Sequence, residues 1–314
     1  MRTFFAEPFA HTFSIVARHP RSGQIGVAVQ SHWFSVGSVV PWVQAGVGAV
    51  ATQSMVEVNY GPHGLARMAA GEAPLDALTA LLNLDESQAL RQVAFVNAAG
   101  DIAVHTGSQC VAEANHCCGA GFSAQANMMR FPGVPEAMAA AYTKALEDES
   151  LDLAECLMRA LEAAQAAGGD IRGMQSAAMR IASAEKQAQS WQGLAVDVRV
   201  EDHPQPLAEL RRLVQINRAY TYMNLGDELL AVHQVEGALA AYQQAAEICP
   251  EIAEMPFWQA VSLVNIGNTA AALPIFEEVF SRDPLLAEML LRLPPAGLIE
   301  ADPQTIQKIY ALKK

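Results

Sequence analysis

The spacing of apolar residues changes along the chain and divides its first part into strands and helices. Runs of β-branched and small apolar residues at 13–18 and 25–30 predict two strands, and the turn-rich residues 19–23 predict a hairpin between them. Similar runs at 36–40 and 47–53 predict two more strands. Apolar residues then recur at helical spacing, which predicts helices over 64–70 and 75–84.

The same succession occurs a second time further along the chain. Residues 92–97 and 102–106 predict a hairpin, residues 121–128 a strand, and the Ala- and Leu-rich residues 135–147 and 151–167 two helices. Strands are predicted again over 176–182 and 194–200. Antiparallel hairpins that alternate with helix pairs favour two sheets faced by helix layers, an α+β fold, over a parallel sheet.

A different pattern begins after the segment Asp202-His203-Pro204-Gln205-Pro206, which predicts two domains, residues 1–205 and 206–314. The second domain is predicted to be all-α, and small, aromatic and proline residues in it recur with a period of 34 residues: Ala238, Tyr242, Ala245 and Pro250, then Ala272, Phe276, Val279 and Pro284. This period is typical of tetratricopeptide repeats. Flanking helices are expected to cap the two units, since each repeat buries its apolar face against a neighbour.

Composition and charge narrow the classes of function. A formal net charge of −13 argues against nucleic-acid binding, which requires clustered Lys and Arg. No window has the length of a membrane span, residues 1–11 contain no signal-peptide core, and the five cysteines have no disulfide spacing. We therefore expect a cytoplasmic protein that does not interact with membranes.

No cofactor or metal is expected. No predicted strand leads into a glycine-rich phosphate loop, which argues against a nucleotide site. Cys110, His116, Cys117 and Cys118 resemble a ligand set, but adjacent cysteines do not easily bind one tetrahedral zinc ion. Buried thiols are the favoured interpretation.

Several sequence blocks in the first domain resemble a bacterial family, the domain of unknown function number ten twenty-eight. They include His-Thr-Phe-Ser-Ile-Val-Ala-Arg at 11–18, Gly-Val-Ala-Val-Gln-Ser at 26–31 and the segments at 41–53, 59–62, 125–127, 168–176 and 202–204. That family resembles the N-terminal nucleophile (Ntn) hydrolases. The resemblance implies a four-layer αββα sandwich of Ntn-hydrolase type.

The resemblance also implies a nucleophile. In Ntn hydrolases a Thr, Ser or Cys heads the first strand after self-cleavage of a leader, and its freed α-amine acts as general base. The matching residue is Thr12, and the leader would be residues 1–11. An α-amine titrates near neutrality, which suits a base. The second strand has no Lys to lower this pKa, and His32 is the nearest substitute.

Polar residues near the predicted strands are the other candidates. Ser14 shares a strand face with Thr12 and is predicted to support it. Gln53 and Asn127 are predicted to contact the carbonyl or oxyanion, and Thr52 and Gln125 to contact substrate. The alternative is that these side chains satisfy backbone groups of loops.

Asp170 and Arg172 lie in a glycine-rich segment and are the candidate anchors for a substrate. A carboxylate and a guanidinium two residues apart suit the amine and carboxylate of a small molecule. Alternatively, these two side chains bind each other.

The favoured hypothesis is hydrolysis of an amide bond in a small-molecule or peptide-like substrate, with Thr12 as nucleophile. The helical repeats would recruit a protein partner or order a homo-oligomer. Two alternatives stay open. One is a non-catalytic ligand-binding module, and the other is an enzyme of a different type in which Asp170 or a His acts as base.

Overall fold

The computed structural model describes residues 9–10 and 12–313, which fall into two compact units, Met1–Val214 and Gln215–Lys314. The first unit is mixed α+β and the second is helical. The predicted leader lies outside the described residues except for Phe9–Ala10, which form a short strand.

The described strands all belong to the first unit: β1 Phe9–Ala10, β2 Thr12–Arg18, β3 Ile25–Ser31, β4 Pro41–Gln44, β5 Gly48–Met55, β6 Arg91–Asn97, β7 Ile102–Thr106, β8 Asn115–Gly119, β9 Phe122–Ala126, β10 Ser176–Ala182 and β11 Leu194–Val200. They form two sheets. One has the order β1-β5-β6-β7, with β4 also paired to β5, and the other has the order β11-β10-β3-β2-β9-β8. Every strand pairing is antiparallel.

Helices cover both sheets on the sides that face away from each other. Helices α1 Tyr60–Ala69 and α2 Pro74–Leu82 contact the five-stranded sheet, and α3 Val134–Leu146 and α4 Leu153–Ala166 contact the six-stranded sheet. The sheets contact each other through β4, β5, β6 and β7 of one sheet and β2, β3, β8, β9 and β10 of the other. The α+β prediction is therefore confirmed.

Side-chain alternation along β2 shows which residues face the space between the sheets. Phe13, Ile15 and Ala17 join the core that contains α3 and α4, whereas Val16 joins the core between the sheets. Because alternate residues of a strand share a face, Thr12 and Ser14 point toward the other sheet.

Two local predictions were wrong. Residues 36–40 were predicted as a strand, but Val36–Ser38 form a 3₁₀ turn because Ser35 is left-handed (φ 57°) and reverses the chain before β4. Strand β8 was not predicted, since Asn115–Gly119 lacks β-branched residues; its pairing with β9 creates it.

The helical unit contains the end of α5 Pro206–Ala231, followed by α6 Val235–Ile248, α7 Glu254–Asn265, α8 Thr269–Arg282, α9 Leu285–Leu290 and α10 Pro303–Tyr310. The boundary between the units falls inside α5, C-terminal to the predicted boundary at 205/206, because Leu207, Leu210 and Val214 pack in the core of the first unit. None of the described helices is both long and apolar enough to cross a membrane.

Residues 34 positions apart play matching parts in this unit. Both ends of α6 are offset by this period from the ends of α8. A Cβ atom on Gly226 would lie 2.4 Å from the Tyr242 ring. One period later, Ala260 and the smaller ring of Phe276 are both fully buried. The small residues Gly226 and Ala260 are therefore one period apart, and so are the aromatic residues Tyr242 and Phe276.

The turns that precede α6 and α8 also match. His233 and Gly267, one period apart, both have positive φ, 61° and 83°. In each turn the next amide bonds back to a helical carbonyl: Gln234 N donates to Leu229 O and Asn268 N to Leu263 O, both at 2.8 Å. This bonding is typical of a helix C-terminus that favours glycine.

His233→Gly should therefore stabilise the helical unit by about 1 kcal/mol, because a left-handed residue with a Cβ is strained. Gly267→His is the matched reverse change and should cost a similar amount, since a Cβ at Gly267 meets no atom within 4 Å and only backbone strain is added. Hydrogen exchange of the amides in α6 and α8 measures both. Equal protection in all three proteins would contradict the prediction.

Candidate functional site

The candidate site is a group of polar side chains enclosed between the two sheets. Thr12 and Ser14 come from β2, Gln53 from β5, and Gln125 and Asn127 from the end of β9. All five residues are 0% exposed. Because buried polar groups require hydrogen-bond partners, the question is which atoms they bond.

Ser14 lies between two glutamine side chains from different sheets. Its hydroxyl donates to Gln53 Oε1 and accepts from Gln125 Nε2, both at 2.6 Å. Gln125 Oε1 in turn accepts from Ser123 Oγ at 2.9 Å. The hydroxyl proton of Ser14 is therefore used in the hydrogen bond to Gln53, so Ser14 positions that side chain.

Gln92 of β6 is the centre of this network, and it was not among the candidates predicted from the sequence. Its Oε1 accepts from Gln53 Nε2 at 2.7 Å and from Asn127 Nδ2 at 2.9 Å. Its Nε2 donates to the carbonyl of Ala126 at 3.0 Å and to Thr106 Oγ1 at 2.9 Å. The available signal was that Gln92 alternates with Ala94 and Val96, the apolar residues on the inward face of β6.

The amide side chains also converge on the backbone of Thr12. The Thr12 carbonyl accepts from the backbone N of Asn127 at 3.0 Å, from Gln53 Nε2 at 3.3 Å and from Asn127 Nδ2 at 3.5 Å. The two side-chain bonds are longer than those that the same nitrogens make to Gln92. Two N–H donors are thus aimed at the start of β2 and are held weakly there.

Backbone strain is found immediately after both amide residues. Ser54 follows Gln53 with φ 71°, and Met128 follows Asn127 with φ 57°. Such left-handed conformations are uncommon for residues other than glycine and concentrate at functional sites. A left-handed residue thus directly follows each of the two amides that point at Thr12.

Asp170 and Arg172 bind each other next to this end of the six-stranded sheet. The buried Asp170 carboxylate accepts from Arg172 Nη2 at 2.6 Å and Nε at 3.0 Å, and from the backbone N of His32 at 3.3 Å. A bridge between Met129 and Asp170 ties the loop to the segment after β9. The guanidinium is part-exposed, with 30% of the Arg172 side chain accessible.

Thr52 is not brought into the network. It lies one residue before Gln53, so it points to the opposite face of β5. Its hydroxyl donates to the carbonyl of Glu57 at 3.0 Å. Thr52 thus bonds the loop that leads to α1, whereas the next residue, Gln53, contributes its side chain to the network.

Two further groups extend the network toward the edge strand β8. Thr106 Oγ1 lies 3.0 Å from His116 Nδ1, and Cys118 Sγ lies 3.6 Å from Ser123 Oγ. Burial, with a smaller contribution from the charge of His105, lowers the pKa of His116. Within the described part of the chain, no group of three or more His, Cys, Asp and Glu residues could hold a metal ion.

A buried ion pair fixes the strand ends that carry Gln53 and Gln92. Arg91, only 2% exposed, donates through Nε to Asp85 at 2.7 Å and through Nη1 to the carbonyl of Met55 at 2.9 Å. Burial acts to raise the pKa of Asp85, but hydrogen bonds from Arg91, the Ser87 amide and Tyr60 outweigh it and hold this pKa below its ordinary value of 3.8.

Comparison with known proteins places this geometry in a family. The model of a family of unknown function (DUF1028) matches residues 12–210. The crystal structure of protein SPO2555 from Silicibacter pomeroyi, of the same family model, is similar with a TM-score of 0.58 and 29% sequence identity, over 65% of this chain and 88% of that chain. No curated protein matches this chain.

Replacing Gln92 should destabilise the first unit strongly. In Gln92→Leu the nitrogens of Gln53 and Asn127 lose their shared acceptor and the Ala126 carbonyl loses a donor, so the free energy of unfolding should fall by about 3 kcal/mol or more. Urea unfolding measures this loss. Gln189→Leu, at an exposed loop position, is the matched control and should change little. A loss at Gln92 no larger than at Gln189 would refute the central role of Gln92.

Asp85→Asn should remove an acid-sensitive part of the stability. Because the pKa of Asp85 is depressed in the folded chain, the contribution of its charge is complete above 3.8 and is lost as the pH falls through the folded pKa. At pH 7 the variant removes the carboxylate that neutralises the buried Arg91 guanidinium, at a cost of about 3 kcal/mol. Urea unfolding at neutral and acidic pH should show this difference shrinking below 3.8. The exposed Asp76→Asn is the control, and a pH-independent difference would contradict the prediction.

Proposed function

Because the chain belongs to the DUF1028 family of unknown function, its activity must be inferred from its own side chains, and we propose that it hydrolyses an amide bond of a small or peptide-like substrate. Thr12 is the nucleophile in this proposal. The observation that supports it most is the convergence of the Gln53 and Asn127 amides on Thr12 at the start of a central strand.

The proposed reaction begins with cleavage of the bond between residues 11 and 12. The new α-amine of Thr12, with an ordinary pKa near ~7.7–8.0, would accept the proton of the Thr12 hydroxyl. The hydroxyl oxygen would attack the substrate carbonyl and form an ester, and the proton would pass to the departing amine. Water would then hydrolyse the ester and restore the Thr12 hydroxyl.

The position of β1 supports a role for this cleavage in opening the site. Phe9 and Ala10 pair with Met55 and Ser54 of β5, directly beyond Gln53, whereas Thr12 belongs to the other sheet. Loss of residues 1–11 would remove β1 from this edge of β5. It would create an approach to polar side chains that are fully buried in the uncut chain.

Gln53 and Asn127 are the proposed donors to the oxyanion. Each amide nitrogen would keep its short bond to Gln92 and exchange its long bond to the Thr12 carbonyl for one to the substrate oxygen. Ser14 and Gln125 would hold Gln53 in place. Arg172, part-exposed and oriented by Asp170, would bind a carboxylate of the substrate.

We extend the proposal to the finer fold types. Two facing antiparallel sheets, each covered by a helix pair, support an αββα sandwich of Ntn-hydrolase type. The matched positions 34 residues apart in α6 and α8 support a tetratricopeptide-type repeat in the second unit. Such repeats commonly bind other proteins, which supports a partner or a homo-oligomer.

A non-catalytic ligand-binding module is the second candidate. The observation that favours it is the complete burial of Thr12 and of the four side chains grouped with it, since Ser14, Gln53, Gln125 and Asn127 already bond partners within the chain. In that case Thr12 is structural, the first unit holds a ligand without cleaving it, and the helical repeats present that ligand.

Intact mass and hydrolysis of an amide panel by the purified chain distinguish these functions. We expect loss of residues 1–11 followed by activity, no cleavage or activity in Thr12→Ala, and retention of both in Thr12→Ser. Thr143→Ala, at an exposed position on α3, is the control and should behave like the natural chain. Activity in a chain that keeps residues 1–11 would refute the mechanism. Activity that survives Thr12→Ala and is lost in Asp170→Asn would indicate an enzyme of another type.

A further inference from the structure

The helical unit contains a pocket that the proposed hydrolysis does not use. It has a volume of about 340 Å³ and lies among the C-terminal part of α5, Tyr242 of α6, helix α7 and Leu298. This volume is at the small end of the range for ligand sites. Asn265 fixes the segment at its rim, since its side chain donates to the carbonyl of Leu298 at 3.1 Å and accepts from the backbone N of Glu300 at 2.8 Å.

Two carboxylates line this pocket, and in the part of the chain that the structure describes neither forms an ion pair. Asp227 accepts from the Tyr242 hydroxyl at 2.6 Å, and Glu254 accepts from the Tyr220 hydroxyl and from the Trp258 indole N–H, both at 3.2 Å. Because these donors are neutral, they orient the two carboxylates but do not neutralise their negative charges. No Lys, Arg or His occurs among the residues that line the pocket.

The aromatic side chains that orient the acids also form walls of the pocket. Tyr220 is 42% exposed and Trp258 is partly buried, so both rings are available to a ligand. Aromatic faces attract cations, and Trp does so most strongly. A site that combines two uncompensated carboxylates with Trp and Tyr rings suits a cationic group on an apolar stem, and it disfavours an anion.

We propose that this pocket binds a protonated aliphatic amine, supplied either by a free amine or by a lysine side chain of a peptide. The ammonium group would donate hydrogen bonds to Asp227 and Glu254, and the methylene stem would lie against Trp258 and Met255. This inference does not depend on the chemistry proposed for Thr12.

The test measures binding to the full chain by calorimetry with two probes, 1-aminohexane and the blocked tripeptide acetyl-Gly-Lys-Gly-amide. Their neutral counterparts are 1-hexanol and the same peptide with an acetylated lysine side chain. We expect saturable binding of at least one cationic probe and none of its neutral counterpart. Binding of the amine alone identifies a small-molecule site, and preference for the peptide identifies a lysine-recognition site.

Variants then locate the binding. Asp227→Asn keeps an acceptor for Tyr242, and Glu254→Gln keeps one for Tyr220 and Trp258, so both should fold; each should weaken binding by about tenfold or more. Glu236→Gln removes an exposed acid of α6 outside the pocket and should leave binding unchanged. If either acid variant fails to fold, Trp258→Leu tests the same pocket without a change of charge, and it should also weaken binding. Equal binding of the neutral probes, unaltered affinity in the folded pocket variants, or no saturable binding of either cation would overturn the proposal.

Discussion

The structure of the first unit depends on one constraint: the polar side chains that are buried between its two sheets must all have hydrogen-bond partners. An amide or hydroxyl that is buried without a partner costs free energy, so these side chains must bond each other. Gln92 makes this possible because its oxygen accepts from residues of both sheets and its nitrogen donates to both as well. Without this residue, the side-chain nitrogens of Gln53 and Asn127 would lose the acceptor that they share.

This requirement also fixes how the strands align. A shift of one residue in β5 would turn Gln53 away from the space between the sheets, and a shift of one residue in β9 would put an alanine there in place of Gln125. Gln53 lies opposite Gln92, and Gln125 lies opposite Ser14, so the register of each sheet and the network between them specify the same arrangement. Arg91 strengthens this by bonding the carbonyl of Met55 at the end of the neighbouring strand.

Local patterns predicted much of this fold because turn residues and apolar periods act over short stretches. The segment at 19–23 predicted the hairpin of β2 and β3, and the 34-residue period runs through α6 and α8. Gln53 and Asn127 were predicted as site residues because polar side chains near the ends of predicted apolar strands are distinct from their neighbours, and the structure brings both into contact with Gln92. Gln92 was missed because its partners, residues 53 and 127, are distant in sequence. Strand β8 was missed because Asn115–Gly119 has no strand pattern of its own and is ordered by its pairing with β9.

The two candidate sites differ in how they handle charge, and this difference bears on what each can bind. Between the sheets the groups are neutral amides and hydroxyls that satisfy one another, so a carbonyl oxygen can enter by exchanging one weak hydrogen bond for another without burying a net charge. In the helical unit, neutral donors orient the exposed Asp227 and the partly exposed Glu254 and leave both carboxylates charged, which favours a cationic ligand. The first arrangement suits chemistry on an uncharged amide, whereas the second selects a ligand by its charge.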